Sequence, residues 1–208
     1  MKTFIWTWPT RLFHWLLVIS LLVAYFVSDK ESKLHVHLIA GYWVAALVLF
    51  RIIWGFIGPL YAQFRHLPLD TDLTLKAQQK GKKIYAGHNP IASLVMLGML
   101  GMLLLIILTG LFTYLESKDQ LGIFSMGLDK EAFHAFHEFL VNFFIGLVIF
   151  HLLGVFIDLI NNKKAAALPS IFTGYKYIDA QAAELKEWQK WFTVLYACGA
   201  LLGSVLLF

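Results

Sequence analysis

Residues 134–160 read HAFHEFLVNFFIGLVIFHLLGVFIDLI, and this stretch decides the fold. It exceeds the roughly 20 apolar residues that a helix needs to cross a bilayer. Within it, His137 and His151 stand fourteen residues apart. Fourteen residues are just under four helical turns, so both imidazoles share one face, about 21 Å apart along the axis. An imidazole in a lipid-immersed helix is costly and usually functional. The spacing suits two flat cofactors stacked across a membrane, each held by one histidine from this helix and one from a neighbour.

The rest of the chain has the same character. Of its 208 residues, 59% are hydrophobic and only 14% charged, and the mean hydropathy is +0.70. A water-soluble domain of this size could not bury that much apolar surface. Five segments approach or exceed spanning length, near 10–28, 36–58, 90–115, 134–160 and 188–208. From Pro90 to Leu115 there is no charged side chain. The first segment lacks a small-residue cleavage site and carries Arg11 and His14, so it is read as a retained helix rather than a secretory signal. Cys198 is the only cysteine. That excludes an intramolecular disulfide, a cysteine zinc site, an iron–sulfur cluster and covalent c-type haem attachment.

The basic residues set an expected orientation. With the N-terminus cytoplasmic, Lys2, Arg11, Arg51, Arg65, Lys76, Lys80, Lys82, Lys83, Lys163, Lys164, Lys176, Lys186 and Lys190 lie inside. Lys30, Lys33, Lys118 and Lys130 remain outside, and Phe208 ends on the outer side. Thirteen against four makes the net charge of +4 a matter of topology, with no support for nucleic-acid binding. The expected home is a membrane, with lipid as the surrounding partner. The outer loops also hold Asp29, Glu31, Glu116, Asp119, Asp129 and Glu131, which makes that face mildly acidic.

Punctuation places the helix ends. Pro9 suits an N-terminal turn, and Gly55 to Pro59 reads as a glycine-proline stop. Residues 70–83 are compatible with a short surface helix. Asn89 reads as the cap of helix three and Pro90 as its first residue. Gly122 and Gly127 mark an outer loop over 116–133. The basic segment from Asn161 to Glu187 is expected along the inner headgroups, with Trp188 and Trp191 anchoring helix five at the interface. The expected fold is an all-α integral membrane protein, one membrane domain with five transmembrane helices.

Orientation sorts the histidines by depth. His14 begins the first, outward-running helix, and His151 lies late in the inward-running fourth, so both are near the inner side. His37 begins the second helix and His137 the fourth, both near the outer side. Two imidazoles on one haem iron fill both axial positions; such a centre passes single electrons and leaves no vacant site for oxygen. Two such centres make a wire across the bilayer.

Arg51 lies fourteen residues after His37, on its face and beside the inner pair. It reads either as a haem-propionate partner or as a side chain snorkelling to headgroups, and so does Arg11. Gly41, one turn after His37, either admits a porphyrin to the backbone or makes a close helix contact; Gly146 carries the same two readings. His134 is expected at the water boundary, His35 on the opposite face from His37, and His66 and His88 in cytoplasmic loops. A quinone pocket is conceivable where Trp15, Arg11 and His88 converge.

Taken together, these stretches resemble the bacterial cytochrome b561 family, especially its hydrogenase-type cytochrome b branch. The matching motifs are Trp8-Pro9-Thr10-Arg11-Leu12-Phe13-His14-Trp15, His37-Leu38-Ile39-Ala40-Gly41-Tyr42, Phe50-Arg51-Ile52-Ile53-Trp54-Gly55 and Gly87-His88-Asn89-Pro90. Thr109-Gly110-Leu111, His137-Glu138, His151-Leu152-Leu153-Gly154-Val155 and Thr173-Gly174-Tyr175-Lys176 complete them, over residues 4–178. The resemblance implies two non-covalent b haems with His14, His37, His137 and His151 as iron ligands. It also implies electron exchange between membrane quinone and a redox partner such as a c-type cytochrome or a hydrogenase. Asn161-Asn162-Lys163 replaces a histidine-containing stretch frequent after helix four, so no further ligand is inferred there. The resemblance further implies a bacterial inner (plasma) membrane and a four-helix transmembrane haem-binding bundle over residues 1–178. Residues 179–208 are then an extension with a fifth transmembrane helix, leaving core packing, partner binding and homo-oligomer formation open.

The leading expectation is a di-haem electron conduit between quinone and an outer-face partner; whether that amounts to a quinone oxidoreductase enzyme is left open by the sequence. Oxidation of superoxide at the outer face is a lesser alternative, because acidic loops oppose the capture of a small anion. Service as the membrane anchor of a hydrogenase-like complex is another. A metal-ion transporter would need carboxylate or thiol ligands in the membrane, and Glu138 is the sole candidate carboxylate beside the core histidines.

Overall fold

A computed structural model describes residues 1–28, 31–70, 85–117 and 130–208. Five helices are long and apolar enough to cross a membrane: α1 (Trp8–Val27), α2 (Leu34–Ile57), α3 (Pro90–Ser117), α4 (Lys130–Asn162) and α6 (Glu187–Leu207). Each covers its expected segment, shifted by a few residues at the ends. A short helix, α5 (Ala167–Thr173), precedes the last. Phe143, on α4, is 52% exposed, and Phe26, Phe156, Leu195 and Leu207 are exposed as well. Such surfaces face lipid, since a protein in water rarely leaves so much contiguous apolar area uncovered. The chain is an all-α, multi-pass membrane bundle.

The helix ends follow the chemistry read from the sequence. Pro9 lies in the first turn of α1. Asn89 caps α3 by accepting a hydrogen bond at Oδ1 from the Ala92 N–H, 2.8 Å, satisfying a donor that the helix cannot. Gly58 closes α2, its N–H bonded to the Trp54 carbonyl. Residues 71–84, which hold most of the expected surface helix and Lys76, Lys80, Lys82 and Lys83, lie outside the described residues, as do Asp29, Lys30 and 118–129.

The helices pair as two hairpins, α1 along α2 and α3 along α4, joined mainly by α2 against α3. Contact of α4 with α1 or α2 is slight by comparison. At mid-height an apolar plug closes the space between the hairpins. Phe144 of α4 packs there with Val44 and Val48 of α2 and Leu103 of α3, flanked by Leu17 and Leu21 of α1. Phe144 is seven residues from both His137 and His151, and Val44 seven from both His37 and Arg51. Seven residues return a helix to nearly the same face, so the plug sits on the histidine faces, midway between the two levels.

The segment after α4 is more structured than its basic character suggests. Two strands form a small antiparallel sheet, β1 (Lys2–Phe4) with β2 (Tyr175–Tyr177), pairing Thr3 with Lys176. Gly174 makes the turn between α5 and β2 at φ 86°, where a Cβ would meet the Phe4 ring at 2.6 Å. Trp6 Nε1 donates to Ser170 Oγ at 3.0 Å. Three-residue strands carry too little alternation to be legible in sequence. The sheet closes one end of the bundle, hereafter the hairpin end.

Helix α6 packs on α2. Two tyrosines secure it reciprocally: Tyr42 Oη donates to the Ala200 carbonyl at 3.0 Å and Tyr196 Oη to the Ala46 carbonyl at 2.7 Å. Phe192 stacks on Phe50 and Trp54, and Gln189 Nε2 donates to the Ile57 carbonyl at 2.6 Å. In lipid, such packing and hydrogen bonds are what holds helices together.

Candidate functional site

The four histidines meet in two pairs at opposite ends of the space between the hairpins. His14 of α1 lies within electrostatic reach of His151 of α4 at the hairpin end. His37 of α2 and His137 of α4 are related in the same way at the far end. His14 and His151 thus share one end of the bundle, and His37 and His137 the other.

At the far end both rings are held by Nδ1. His37 Nδ1 lies 2.9 Å from the Ala24 carbonyl, which can only accept, so Nδ1 carries the proton. His137 Nδ1 lies 3.0 Å from Thr109 Oγ1. The Thr109 hydroxyl donates its one proton toward the Leu105 and Ile106 carbonyls, so toward His137 it accepts. Held through Nδ1, both imidazoles leave Nε2 as the nitrogen that could ligate a metal. Gly110 makes room for this: a Cβ there would lie 3.0 Å from His137 Cε1. Thr109 and Gly110 belong to a quoted motif, but no periodicity in the sequence links them to a ring 27 or 28 residues onward.

At the hairpin end His14 Nδ1 is buried without a hydrogen-bond partner, and its ring meets Trp15 edge-on at 5.1 Å. Gly41 has no atom within 4 Å of the position a Cβ would take. The close-helix-contact reading therefore fails for Gly41, and the open space favours the cofactor reading. Gly146 is equally uncrowded but exposed. Nine residues from His137, it points to the opposite side of α4.

Arg51 does not snorkel. Its side chain is 6% exposed, Nη1 donating to the Ala62 carbonyl at 3.1 Å and Nη2 to Met96 Sδ at 3.3 Å, with the guanidinium over the Phe64 ring. Arg11 donates to the Phe172 carbonyl, and its Nε is buried without a partner. His134 and His35 are exposed, and His35 packs against Phe208.

His88 is no loop histidine in water. Its Nδ1 is buried and unpartnered, and its ring meets Trp6 edge-on. Burial, assisted by the charges of Arg51, Lys176 and His151, pushes its pKa down to about 3. With Tyr61, His66, Tyr85 and Gly87 it lines a cavity of about 220 Å³ at the hairpin end. Arg11 and Trp15 do not line that cavity; both turn to Phe172 instead. The expected convergence of Trp15, Arg11 and His88 is thus not what the fold builds.

The residues present fit haem. Each end supplies two imidazoles, and at the far end the acceptor nitrogens are free. Away from the Phe144 plug, helix α4 meets α1 and α2 only slightly, and Gly41 leaves the backbone uncovered. A bare metal ion is a poorer match: among the described residues no three His, Cys, Asp or Glu side chains cluster. Donors that come in twos suit an iron whose other four ligands belong to a macrocycle.

The comparisons with known proteins agree with the geometry. A probable Ni/Fe-hydrogenase B-type cytochrome subunit from Rhizobium leguminosarum bv. viciae is 22% identical over 177 residues, covering 66% of this chain and 73% of that protein. No solved structure matches the chain. The family described as prokaryotic cytochrome b561 matches residues 5–174, which include all four core histidines. The chain belongs to the prokaryotic cytochrome b561 family, as a membrane cytochrome b that carries electrons.

Proposed function

We propose that the protein holds two b haems, one with His14 and His151 and one with His37 and His137, and conducts electrons across the membrane between quinone and an outer-face redox partner. The observation that carries this reading is the meeting of four histidines as two pairs at opposite ends of one inter-helix space. Haem iron, once bound, alternates between ferric and ferrous and so accepts and releases single electrons. The chain's own part is to hold and insulate. Ala24 and Thr109 orient the far imidazoles, the plug around Phe144 keeps water from the space between the levels, and two imidazoles for each haem would leave oxygen no coordination site.

The hairpin end is taken as cytoplasmic because thirteen of the seventeen basic residues belong to that side in the proposed topology. The quinone ring is assigned to the cavity lined by Tyr61, His66, Tyr85, Gly87 and His88, which adjoins the His151 level. At the outer face the partner is a c-type cytochrome or comparable redox protein. The hydrogenase-type relative supports a second reading, in which the protein is the membrane subunit of such a complex.

Purified protein reduced and then oxidised tests the proposal. A b-type difference spectrum with two haems per chain is expected, and His14→Ala and His137→Ala should each remove one. Absence of a b-type signal, or full loading at one haem, would overturn it.

A further inference from the structure

The hairpin end buries more positive charge than the protein neutralises. Lys176, carried in by β2, is 3% exposed, and Arg51 is 6% exposed. Among the described residues neither has a carboxylate within ion-pair distance. His88 lies within electrostatic reach of both, and of His151. The one acid near Lys176 is Asp158, and its oxygens already accept from Asn162 Nδ2 at 2.7 Å and the Ala167 N–H at 2.6 Å. Lys176 Nζ donates to the Tyr85 and Gly87 carbonyls at 3.3 and 3.2 Å. An ammonium has three donors, so one remains. Buried charge without a counter-charge is strongly unfavourable, so the arrangement calls for an anion.

We propose that Lys176, together with Arg51, forms a cationic clamp for the propionate carboxylates of the haem held by His14 and His151. The inference rests on the reading that those two histidines hold a haem. Haem held by His14 and His151 would bring two carboxylates to the end where His88 lies within electrostatic reach of Lys176, Arg51 and His151; the described acid near Lys176, Asp158, is already engaged. The β1–β2 sheet then has a task beyond closing the bundle: it delivers a lysine from residue 176 to a cofactor gripped by helices α1 and α4. A chloride or a lipid phosphate offers the same negative charge, and the test separates these sources.

The test is a redox titration of the two-haem protein in which residue 176 is varied. Lys176→Gln keeps donors for the Tyr85 and Gly87 carbonyls but removes the charge; Lys176→Arg keeps the charge. A cation near the haem favours the ferrous state, which is more negative by one charge. Lys176→Gln should therefore lower the reduction equilibrium of one haem about tenfold, equivalent to about 59 mV, with the other unchanged and Lys176→Arg close to wild type. Wild-type apoprotein loaded with haem dimethyl ester lacks the two anions, so the haem at His14 and His151 should titrate at higher potential than native haem there. Lys176→Gln should also speed transfer of native haem to apomyoglobin, but not transfer of the ester. If wild type and Lys176→Gln titrate alike, Lys176 merely braces the loop. If the Gln substitution speeds loss of the ester as much as loss of native haem, the anion is a lipid or solution ion, and the clamp is equally refuted. Should both variants fail to assemble, ester-loaded wild type with unaltered potentials refutes it. Protein that takes up no haem at His14 and His151 would instead sink the underlying reading.

Discussion

Replacing Thr109 by valine removes a single oxygen from beside His137 without changing the shape of the side chain. In the native protein that oxygen, 3.0 Å from Nδ1, accepts the ring's proton. Its own proton goes to the Leu105 and Ile106 carbonyls, which keep their helical partners in the variant. The loss therefore falls on His137, whose half-buried Nδ1–H keeps only the Ile106 carbonyl within reach. A net hydrogen bond is worth about 1 kcal/mol, and a donor stranded away from water costs about 1–3 kcal/mol. At 1.4 kcal/mol per factor of ten, that converts to about 5- to 150-fold weaker haem retention at the far site. Metal-site partners one layer out typically contribute about 10- to 100-fold. The assay is transfer of haem to excess apomyoglobin, followed spectroscopically: one of two haems should leave faster by this factor while the His14–His151 haem leaves at the wild-type rate. Thr109→Ser, which restores the oxygen, should recover most of the retention. Equal loss of both haems, or of neither, would refute the assignment of Thr109 as the residue that fixes the His137 ring.

Gly110→Ala puts a Cβ 3.0 Å from His137 Cε1, a few tenths of an ångström too close, against a ring that Thr109 prevents from sliding. The far haem should be lost or its spectrum altered, with the other site intact, as haem stoichiometry will show. Phe144→Ala empties the mid-height plug, where Phe144 is 5% exposed. Truncations of this kind cost about 3–5 kcal/mol in soluble cores, and thermal denaturation in detergent should register a comparable drop, with an unchanged midpoint refuting the plug. Burial, then the nearby charges, hold His88 at about 3 against an ordinary 6.5. In haem-free protein the unfolded chain takes up a proton below 6.5 that the folded chain refuses, so stability is full above that pH and declines toward 3. His88→Asn should flatten this limb in pH-dependent melting; an unaltered slope would place the titration elsewhere. Gly174→Ala, at φ 86° and against Phe4, should unpin the β1–β2 sheet, detected as faster proteolysis of the N-terminal residues.

The family resemblance seen in the sequence is matched over residues 5–174, and all five spans were legible. Hydropathy reports a long-range fact, contact with lipid, through local composition, and lipid forbids most alternatives to helix. The proposed histidine pairing was read for a related reason. Helical rise turns residue number into depth, and basic residues supply direction, so four positions in a string became two levels in a slab.

What sequence could not yield was everything fixed by approach between elements. Thr109 and Gly110 matter because α3 lies against α4, and no local pattern announces that. Arg51 had two readings on a helix drawn in isolation; only the Phe64 ring and the Ala62 carbonyl, folded back from the following turn, remove it from the headgroups. His88 looked like a loop residue until Trp6, Arg51 and Lys176 closed around it. Lys176 was counted as one more cytoplasmic charge, because a three-residue strand leaves no trace in hydropathy. Depth along the membrane normal is written in the chain itself. Neighbourhood across it depends on side-chain packing in three dimensions, and only the folded protein decides it.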